Sequence, residues 1–386
     1  MKIKRLLMVT EPSRNGVFAY VADLIRHAHR YHPEIIVDLA YSSQRSSEKL
    51  FQIIREVEAR GGQTVDLKTG NAPRLGDFRA TLRLHRLILN TRPDLIHAHS
   101  SKAGALCRIL RWLHLPSVPP VVYTPNAYFG LGQSKSRFLF NWIESWLGRT
   151  GLTINCSSDE RAFGLRSLGL PPRHLALIYH GVDQARFFPS DAETKKLLRR
   201  NFGLPEEKPI LLTIGRDSAQ KNYPPLYAAL NQLLNSAAPP FLFAHAGAGS
   251  TALRSSLAPQ AQQHVFAFEH IAAMPDMLRA VDGFILTSRY EGLSFAMLEA
   301  LSSGLKLFLT QAPGSSCLKK VGFDEIEWMP PVPRPDDVVA SLEKWGKAFP
   351  LAPSPNQLQR ARQWFNLPVQ MEKTFRLYEY AAVGKK

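Results

Sequence analysis

Short apolar segments alternate with longer segments of helical spacing along nearly the whole chain. Strands that alternate with helices in this way predict an α/β fold, in which helices cover both faces of a parallel sheet. The predicted strands of the first half are RLLMVT, IIVDLAY, QTVDL, PDLIHAH, PVVYTP, LTINCS and HLALIY.

The alternation stops at a polar segment, HGVDQARFFPSDAET, and then starts again. We therefore predict two Rossmann-like βαβ domains, residues 1–185 and 186–363. Residues 364–386 have helical spacing with no strand after them, so we expect this segment to complete the first domain. Open α/β sheets bind ligands at the carboxyl ends of their strands, which places the expected site in a cleft between the two domains. The predicted strands of the second domain are KPILLTIGR, PFLFAHAG, HVFAF, DGFILTS and KLFLT.

Charge changes this picture, because it is distributed unevenly. The chain of 386 residues carries a net charge of +16, with 25 Lys and Arg against 13 Asp and Glu in residues 1–180 (+12) and 23 against 19 in residues 181–386 (+4). The excess in the first half indicates an anionic partner, which could be a membrane surface, a phosphorylated substrate or nucleic acid. A basic surface that simply faces water is the alternative.

The sequence carries no sign of export or of a membrane span. Its three scattered cysteines are too few for a disulfide framework or a thiolate metal site. The apolar run at the start is short of a secretory signal, and no stretch approaches the roughly 20 apolar residues of a membrane span. We expect a cytoplasmic protein, either soluble or peripheral on the inner face of the cell membrane.

Candidate chemistry follows two strands of the second domain. Arg216 and Lys221 come directly after ILLTIG and are placed to hold an anionic group. Glu291 follows FILTS, and the segment from Ser294 to Gly304 has the length and composition of a short helix that contains Glu299. The start of such a helix accepts phosphate oxygens, so two carboxylates flank a predicted phosphate site.

This combination resembles the retaining glycosyltransferases of family 4, which have the GT-B fold. The resemblance covers nearly the whole chain and includes the glutamate pair in EGLSFAMLE, the Arg/Lys pair in IGRDSAQKN and the strand end in PDLIHAHSSKAG. HGVDQARFFP is similar to the family's interdomain element, with His180 where asparagine is usual.

The resemblance implies transfer of a sugar, of the hexosyl type, from a nucleotide-diphosphate donor to a glycan or lipid-linked acceptor, with retained configuration. Arg216 and Lys221 would neutralise the leaving diphosphate, Glu291 would bind hydroxyls of the donor sugar, and Glu299 would bind the ribose. No cofactor or metal is expected beyond the nucleotide-sugar itself, and the sequence contains no Asp-x-Asp. The expected donor-binding residues are Gly16 (in the loop after the first strand), Gly215, Arg216, Lys221, Glu291, Gly292, Leu293, Ser294, Phe295 and Glu299.

The chain departs from the family at Asn126, where a histidine is common near the reaction centre. An amide can bind a sugar hydroxyl but cannot exchange a proton near neutral pH. We place Asn126 among the catalytic residues with Arg216, Lys221 and Glu291, and on the acceptor side together with His99. His97 is expected to be a buried structural residue rather than half of a metal site.

Two helices of the first domain are candidates for a membrane surface. The segment SKSRFLFNWIESWLGR has Phe138, Leu139, Trp142, Ile143, Trp146 and Leu147 at helical spacing, and we interpret this stripe as core-facing, with an interfacial helix as the alternative. The basic helix from Arg79 to Arg92 is the preferred candidate for contact with anionic lipid.

The leading interpretation is a bacterial enzyme of cell-surface polysaccharide or lipopolysaccharide synthesis. A catalytically silent nucleotide-sugar-binding protein or partner subunit is the main alternative, and Asn126 favours it. A sugar-nucleotide epimerase of the same fold lacks support in the pattern of histidines and carboxylates. Only net charge favours a nucleic-acid binder, since no recognisable module is present.

Overall fold

The structure is a computed structural model that describes residues 3–13, 15–45, 48–70, 74, 76–113, 117–132, 135–347 and 354–383. The chain divides into two compact units. One comprises Met1–Tyr179 and Val369–Lys386, and the other comprises His180–Pro368.

The first unit contains a parallel sheet of seven strands in the order β3-β2-β1-β4-β5-β6-β7. Its strands are β1 (Arg5–Thr10), β2 (Ile36–Tyr41), β3 (Thr64–Asp66), β4 (Leu95–His99), β5 (Val121–Thr124), β6 (Leu152–Asn155) and β7 (Leu175–Leu177). Its first helices are α1 (Asn15–Tyr31), α2 (Glu48–Glu58), α3 (Gly76–Thr91), α4 (Ser101–Trp112), α5 (Arg137–Leu147) and α6 (Ser158–Arg166).

The second unit contains a parallel sheet of six strands in the order β10-β9-β8-β11-β12-β13. Its strands are β8 (Ile210–Ile214), β9 (Leu242–Ala246), β10 (Val265–Phe268), β11 (Gly283–Leu286), β12 (Lys306–Thr310) and β13 (Glu327–Met329). Its helices are α7 (Ala192–Asn201), α8 (Pro224–Leu233), α9 (Ser250–Ser255), α10 (Pro259–Gln262), α11 (Met274–Ala280), α12 (Phe295–Ser302), α13 (Cys317–Lys320), α14 (Pro335–Lys347) and α15 (Pro355–Trp364).

Strand composition explains why both sheets are parallel and covered. β4, β9 and β11 are buried at every position, and β8 is nearly so. Continuous burial is what a strand between two layers of helices requires, whereas a strand with one wet face would alternate. The predicted fold class, α/β with a parallel sheet in each half of the chain, is therefore confirmed.

The last helix, α16 (Leu367–Val383), packs on the sheet of the first unit from Val369 onward. The hydroxyl of Tyr378 lies 2.6 Å from Nδ1 of His97, and the amide of Gln370 donates to the hydroxyl of Tyr20 at 2.8 Å. These buried polar contacts fix the helix in one position on β4 and α1.

Strand order places one switch point in each sheet, where the chain reverses the direction in which it adds strands. The switch points lie between β1 and β4 in the first unit and between β8 and β11 in the second. Loops diverge at such a point, and the crevice outside the carboxyl ends of the two strands is where ligands of open α/β sheets bind.

Candidate functional site

The loop after β8 begins with a glycine that no other residue could replace without strain. Gly215 has φ +152°, and a Cβ there would lie 2.8 Å from Cε of Lys221 and 2.9 Å from the hydroxyl of Tyr223. Its carbonyl accepts hydrogen bonds from Tyr223 at 3.1 Å and from Nε2 of His245 at 2.8 Å. The strand end is therefore fixed against β9 and α8, with Lys221 folded back over it.

Lys221 and Glu291 meet at the switch point of the second unit. Nζ of Lys221 lies 2.8 Å from Oε1 of Glu291, and both side chains are largely buried. Ser288 donates to the same carboxylate oxygen at 2.7 Å, and the amide of Gln220 donates to Oε2 at 3.3 Å. The two residues that the sequence assigned to different parts of one site are thus in direct contact, and the carboxylate is held by three donors.

Sequence reasoning missed three residues that shape this cluster, namely Ser288, Gln220 and Gly314. Gly314 has φ +88°, and a Cβ there would lie 2.3 Å from the backbone oxygen of Glu291. Glu291 in turn donates its own amide to the oxygen of Pro313 at 2.8 Å. A signal was present, because Pro313 and Gly314 lie in the loop after β12, three and four residues beyond its end, and loops after parallel strands meet at one edge of the sheet.

The helix that follows Glu291 begins and ends close to the predicted positions. α12 covers Phe295–Ser302, Ser294 is its N-cap and accepts a long 3.5 Å hydrogen bond from the amide of Met297, and Gly304 has φ +76° just beyond its end. Gly292, Leu293 and Ser294 are buried, whereas Phe295 is half-buried and stacks on His180 with ring centroids 4.4 Å apart. Burial lowers the pKa of His180 to about 3, so the ring is neutral where it packs on the helix start.

Arg216 lies in the same loop as Lys221, and Glu299 lies on α12, the helix that follows Glu291. Arg216 is exposed in the loop after β8, and its charge acts on the phenol of Tyr290, whose pKa burial raises and Arg216 partly lowers again. Glu299 is half-buried in the second turn of α12. Arg216, Lys221 and Glu291 therefore belong to one electrostatic neighbourhood, and Glu299 lies one turn along the helix that borders it.

The loop after β9 has a carboxylate of the chain at its backbone amides. Glu269 accepts hydrogen bonds from the amides of Gly249 and Thr251, each at 2.8 Å. These two amides lower the pKa of the Glu269 carboxyl to about 2. The short helix α9 is thus already paired with an anion, which leaves the neighbouring β8–β11 crevice as the candidate site.

In the first unit, Asn126 lies in a turn after β5 with an unusual backbone. Asn126 and Ala127 have φ values of +55° and +96°, and Nδ2 of Asn126 donates to the oxygen of Thr124 at 3.2 Å. Asparagine tolerates the left-handed region better than most residues. Glu160, in the first turn of α6, holds the turn in place by accepting from the amides of Ala127 at 2.8 Å and Cys156 at 2.7 Å.

Two histidines end β4, and both are buried. Nδ1 and Nε2 of His97 lie 2.6 Å from Tyr378 and 2.8 Å from Thr124, and burial lowers the pKa of His97 to about 3. His97 is therefore structural, as expected. His99 is buried as well, with its ring edge-on to that of Tyr20. Its assignment to the acceptor side stays a prediction.

The expected loop position of Gly16 and the expected core-facing direction of the stripe on α5 are wrong. Gly16 lies in the first turn of α1, not in a loop, because the helix begins already at Asn15. The stripe of α5 does not face the core: Phe138, Leu139, Trp142 and Trp146 are exposed, Ile143 is half-buried, and only Glu144 and Leu147 are buried.

Two further properties concern only the part of the chain that the structure describes. There, no three His, Cys, Asp or Glu side chains are grouped so that they could hold a metal ion. Nor does any helix within those ranges combine the length and the apolar character needed to cross a bilayer.

Comparison with solved structures identifies the fold. Sucrose-phosphate synthase from Thermosynechococcus elongatus superposes with a TM-score of 0.76 at 16% identity, covering 99% of this chain and 100% of that one. Anabaena HepE in complex with UDP superposes with a TM-score of 0.74 at 17% identity, covering 98% and 100%. The chain therefore has the GT-B fold, with a parallel α/β sheet in each of its two units.

Sequence comparison identifies the family. The family model described as Glycosyltransferase Family 4 matches residues 11–186, and the model described as Glycosyl transferases group 1 matches residues 194–347. The chain therefore belongs to the family 4 glycosyltransferases. It is 29% identical over 266 residues to UDP-Gal:alpha-D-GlcNAc-diphosphoundecaprenol alpha-1,3-galactosyltransferase of Escherichia coli, an alignment that spans 66% of this chain and 67% of the relative.

Proposed function

We propose that the protein is a retaining glycosyltransferase that moves a sugar from a nucleotide-diphosphate donor to a glycan or lipid-linked acceptor in bacterial cell-surface polysaccharide or lipopolysaccharide synthesis. The Escherichia coli relative is named for a diphosphoundecaprenol-linked acceptor, and Anabaena HepE was solved with UDP. The observation that carries the proposal for this chain is the Lys221–Glu291 pair at the β8–β11 switch point.

The reaction places its largest electrostatic demand on the leaving group. The bond between the sugar C1 and the diphosphate oxygen breaks while the acceptor oxygen bonds to C1, and the acceptor proton leaves with the diphosphate or solvent. Negative charge grows on the diphosphate as its bond to C1 breaks. Arg216 and Lys221 lie in the loop after β8, and Lys221 contacts Glu291, four residues before α12 begins. The two cations and the backbone amides at the start of α12 would meet that charge.

Glu291 would bind the donor sugar and also position Lys221. One carboxylate oxygen receives both Nζ of Lys221 and the hydroxyl of Ser288, whereas the other receives only the 3.3 Å contact from Gln220. The second oxygen is therefore the one with capacity left for a sugar hydroxyl. Glu299, one turn into α12, would bind the ribose.

We further propose that these protein cations, without a cofactor or bound metal, stabilise the leaving diphosphate. This proposal is supported by the two cations, an arginine and a lysine, in the loop that borders the switch point. If this is right, chelation of divalent ions by EDTA should leave the transfer rate within about twofold. A rate that falls to background and returns with Mg²⁺ or Mn²⁺ would contradict it.

Asn126 is the residue that favours the alternative, a catalytically silent nucleotide-sugar-binding protein or partner subunit. Its backbone conformation and its hydrogen bond to Thr124 give the asparagine a local structural role. Histidine also tolerates this region of φ, so substitution in either direction is feasible. We place Asn126 on the acceptor side, as a hydrogen-bonding group that positions a sugar rather than a group that transfers a proton.

A panel of nucleotide-sugars tests the proposal. We expect one or two donors to raise the melting temperature and to undergo slow hydrolysis, and Asn126→His to keep the same donor preference and product. If donors stabilise the protein but neither hydrolysis nor transfer occurs with the native chain, and Asn126→His restores them, the silent-binder alternative replaces an active enzyme. If no nucleotide-sugar binds, both are wrong.

The acceptor gives a reason for peripheral binding to the inner face of the cell membrane. The first 180 residues carry a net charge of +12, which would attract anionic lipid. A lipid-linked acceptor is confined to the bilayer surface, so an enzyme held there meets it at a higher local concentration.

A further inference from the structure

The first unit exposes a cluster of large apolar side chains that its core does not use. We name it the aromatic face and define it by Trp112, Phe138, Leu139, Trp142 and Trp146. The side chains of Phe138 and Trp142 are 72% and 66% exposed, whereas the apolar side chains in the core of the unit are buried. Single exposed apolar residues are common on protein surfaces, but a contiguous group of this size marks an interaction site.

Ring contacts show that the aromatic face is continuous across two helices. The centroids of Trp112 at the end of α4 and Trp146 on α5 are 4.5 Å apart, and Trp142 stacks on Trp146 with the ring planes 11° apart. The guanidinium of Arg137 lies over the ring of Phe138 at 4.9 Å. The exposed rings thus form one surface and are not separate side chains on different sides of the unit.

A buried ion pair fixes which side of α5 faces outward. Glu144 lies 2.9 Å from Arg108 of α4, and the guanidinium of Arg108 stacks 3.9 Å above the ring of Tyr123 on β5. The hydroxyl of Tyr123 donates to the same carboxylate at 3.2 Å. Because the acidic side of α5 is anchored inward, the rings on its opposite side are held in water.

The exposed charges that the neighbouring sequence supplies to the aromatic face are all positive. Between Asp94 and Asp159 the sequence contains a single carboxylate side chain, Glu144, and it is buried against Arg108. The exposed cations that flank the face are Lys135, Arg137 and Arg149. Tryptophan and phenylalanine among basic residues, with no exposed acidic residue from this part of the sequence, match the interfacial region of an anionic bilayer.

We propose that the aromatic face is the membrane-docking surface of the protein and that its partner is a bilayer containing anionic phospholipid. This inference rests on the proposed function in one respect: a lipid-linked acceptor explains why the protein would bind a membrane. Binding to the membrane itself requires neither donor nor acceptor. It moves the contact from the basic helix α3, which the sequence favoured, to α5 and the end of α4. On α3, Phe78, Leu82 and Leu89 are exposed, whereas the aromatic face joins three tryptophans across two helices.

Charge also argues against a second copy of the chain as the occupant. A symmetric dimer through this face would bring Lys135, Arg137 and Arg149 of one copy close to the same residues of the other. The surrounding sequence supplies no exposed carboxylate to compensate. An anionic lipid surface compensates all of these cations at once while it accepts the rings.

Vesicle binding by the full chain tests the proposal. The probes are vesicles of 30% phosphatidylglycerol in phosphatidylcholine and vesicles of phosphatidylcholine alone, at low and at physiological salt. We expect native protein to bind the anionic vesicles at least tenfold more tightly, and Phe138→Ser/Trp142→Ser to weaken that binding at least tenfold. Bromine on the lipid acyl chains should quench native tryptophan fluorescence, since three of the six tryptophans lie on the aromatic face.

Matched controls separate this surface from α3. Phe78→Ser removes an equally exposed ring, and Arg79→Gln/Arg86→Gln removes two exposed cations of α3. We expect each control to change vesicle binding less than threefold. The proposal is wrong if native protein ignores anionic vesicles at low salt, if Phe138→Ser/Trp142→Ser binds them normally, or if the α3 variant alone loses binding.

Light scattering and stabilisation by a nucleotide-sugar distinguish membrane docking from dimer formation and from a failure of the proposed function. Light scattering that finds a native dimer and a monomeric Phe138→Ser/Trp142→Ser would assign the aromatic face to a second copy and overturn the proposal. Stabilisation by a nucleotide-sugar is measured for every variant, and we expect it to be unchanged. Loss of vesicle binding with intact donor stabilisation supports docking through this face, whereas donor failure with intact vesicle binding would contradict only the proposed function.

Discussion

At the scale of single residues, two buried carboxylates organise the loops at the strand ends. Glu291 holds Lys221, Ser288 and Gln220 around one side chain in the second unit. Glu160 holds the amides of Ala127 and Cys156 in the first unit, and burial raises the pKa of its carboxyl group. Each carboxylate brings together segments that are distant in sequence, so each determines the shape of a loop.

Glu160→Ala should destabilise the first unit. Removal of the carboxylate leaves the two amides of Ala127 and Cys156 buried without their acceptor, at a cost of about 1 to 3 kcal/mol each. We expect the free energy of unfolding of this unit to fall by roughly 2 to 6 kcal/mol, measured by denaturant unfolding. Glu193→Ala, which removes a carboxylate that is 89% exposed on α7, is the control and should change it by less than about 0.5 kcal/mol. Equal stability of Glu160→Ala and native protein would show that the turn is held by other contacts.

At the scale of elements, the sequence predicted most strands but not the exposure of every helix. The strands of both sheets were recognisable because they are short, apolar and separated by helical segments. β13, with the sequence Glu-Trp-Met, was missed because it runs directly into the proline-rich segment PPVPRP, which is typical of a loop. α12 was predicted well, since its N-cap Ser294 and the glycine after its end are local signals.

The prediction for α5 failed for a physical reason. Helical spacing reveals that a helix has an apolar stripe, but not whether the rest of the fold covers it. The direction in which the stripe faces is set by the contact between Glu144 and Arg108, two residues that lie 36 positions apart in sequence, and by Tyr123 on strand β5.

The candidate site also depends on contacts between residues distant in sequence. Spacing placed Lys221 and Glu291 in one region, but only the structure pairs them and adds Ser288.

At the scale of the whole molecule, each unit contains a buried neutral histidine. His97 lies under α16 in the first unit and His180 stacks on α12 in the second, and burial lowers the pKa of each to about 3. An unfolded histidine has a pKa near 6.5. Below that pH the unfolded chain therefore binds more protons than the folded chain, so the stability present above pH 6.5 is lost progressively toward pH 3.

His180→Asn should reduce this pH dependence in the second unit. Each buried histidine contributes a slope of up to about 1.4 kcal/mol per pH unit between its folded and unfolded pKa values. We expect the variant to lose up to this slope between pH 6 and pH 4, measured by denaturant unfolding at a series of pH values. His270→Asn, at an exposed histidine, should leave the slope unchanged. The same slope in native protein and His180→Asn would mean that His180 is protonated in the folded state.

We propose that the β8–β11 crevice binds a diphosphate through Lys221 and that Glu291 binds the donor sugar. Titration calorimetry with UDP, GDP and ADP identifies the nucleoside diphosphate that binds, and the native chain is then compared with Lys221→Met and Glu291→Gln. Lys196→Met on α7, a lysine outside this cluster, is the matched control. We predict that Lys221→Met weakens binding at least tenfold, and that Glu291→Gln and Lys196→Met keep it within threefold. Glu291→Gln should nevertheless lose at least 100-fold in transfer. If Lys221→Met binds the diphosphate as tightly as the native chain, the account of this site is wrong.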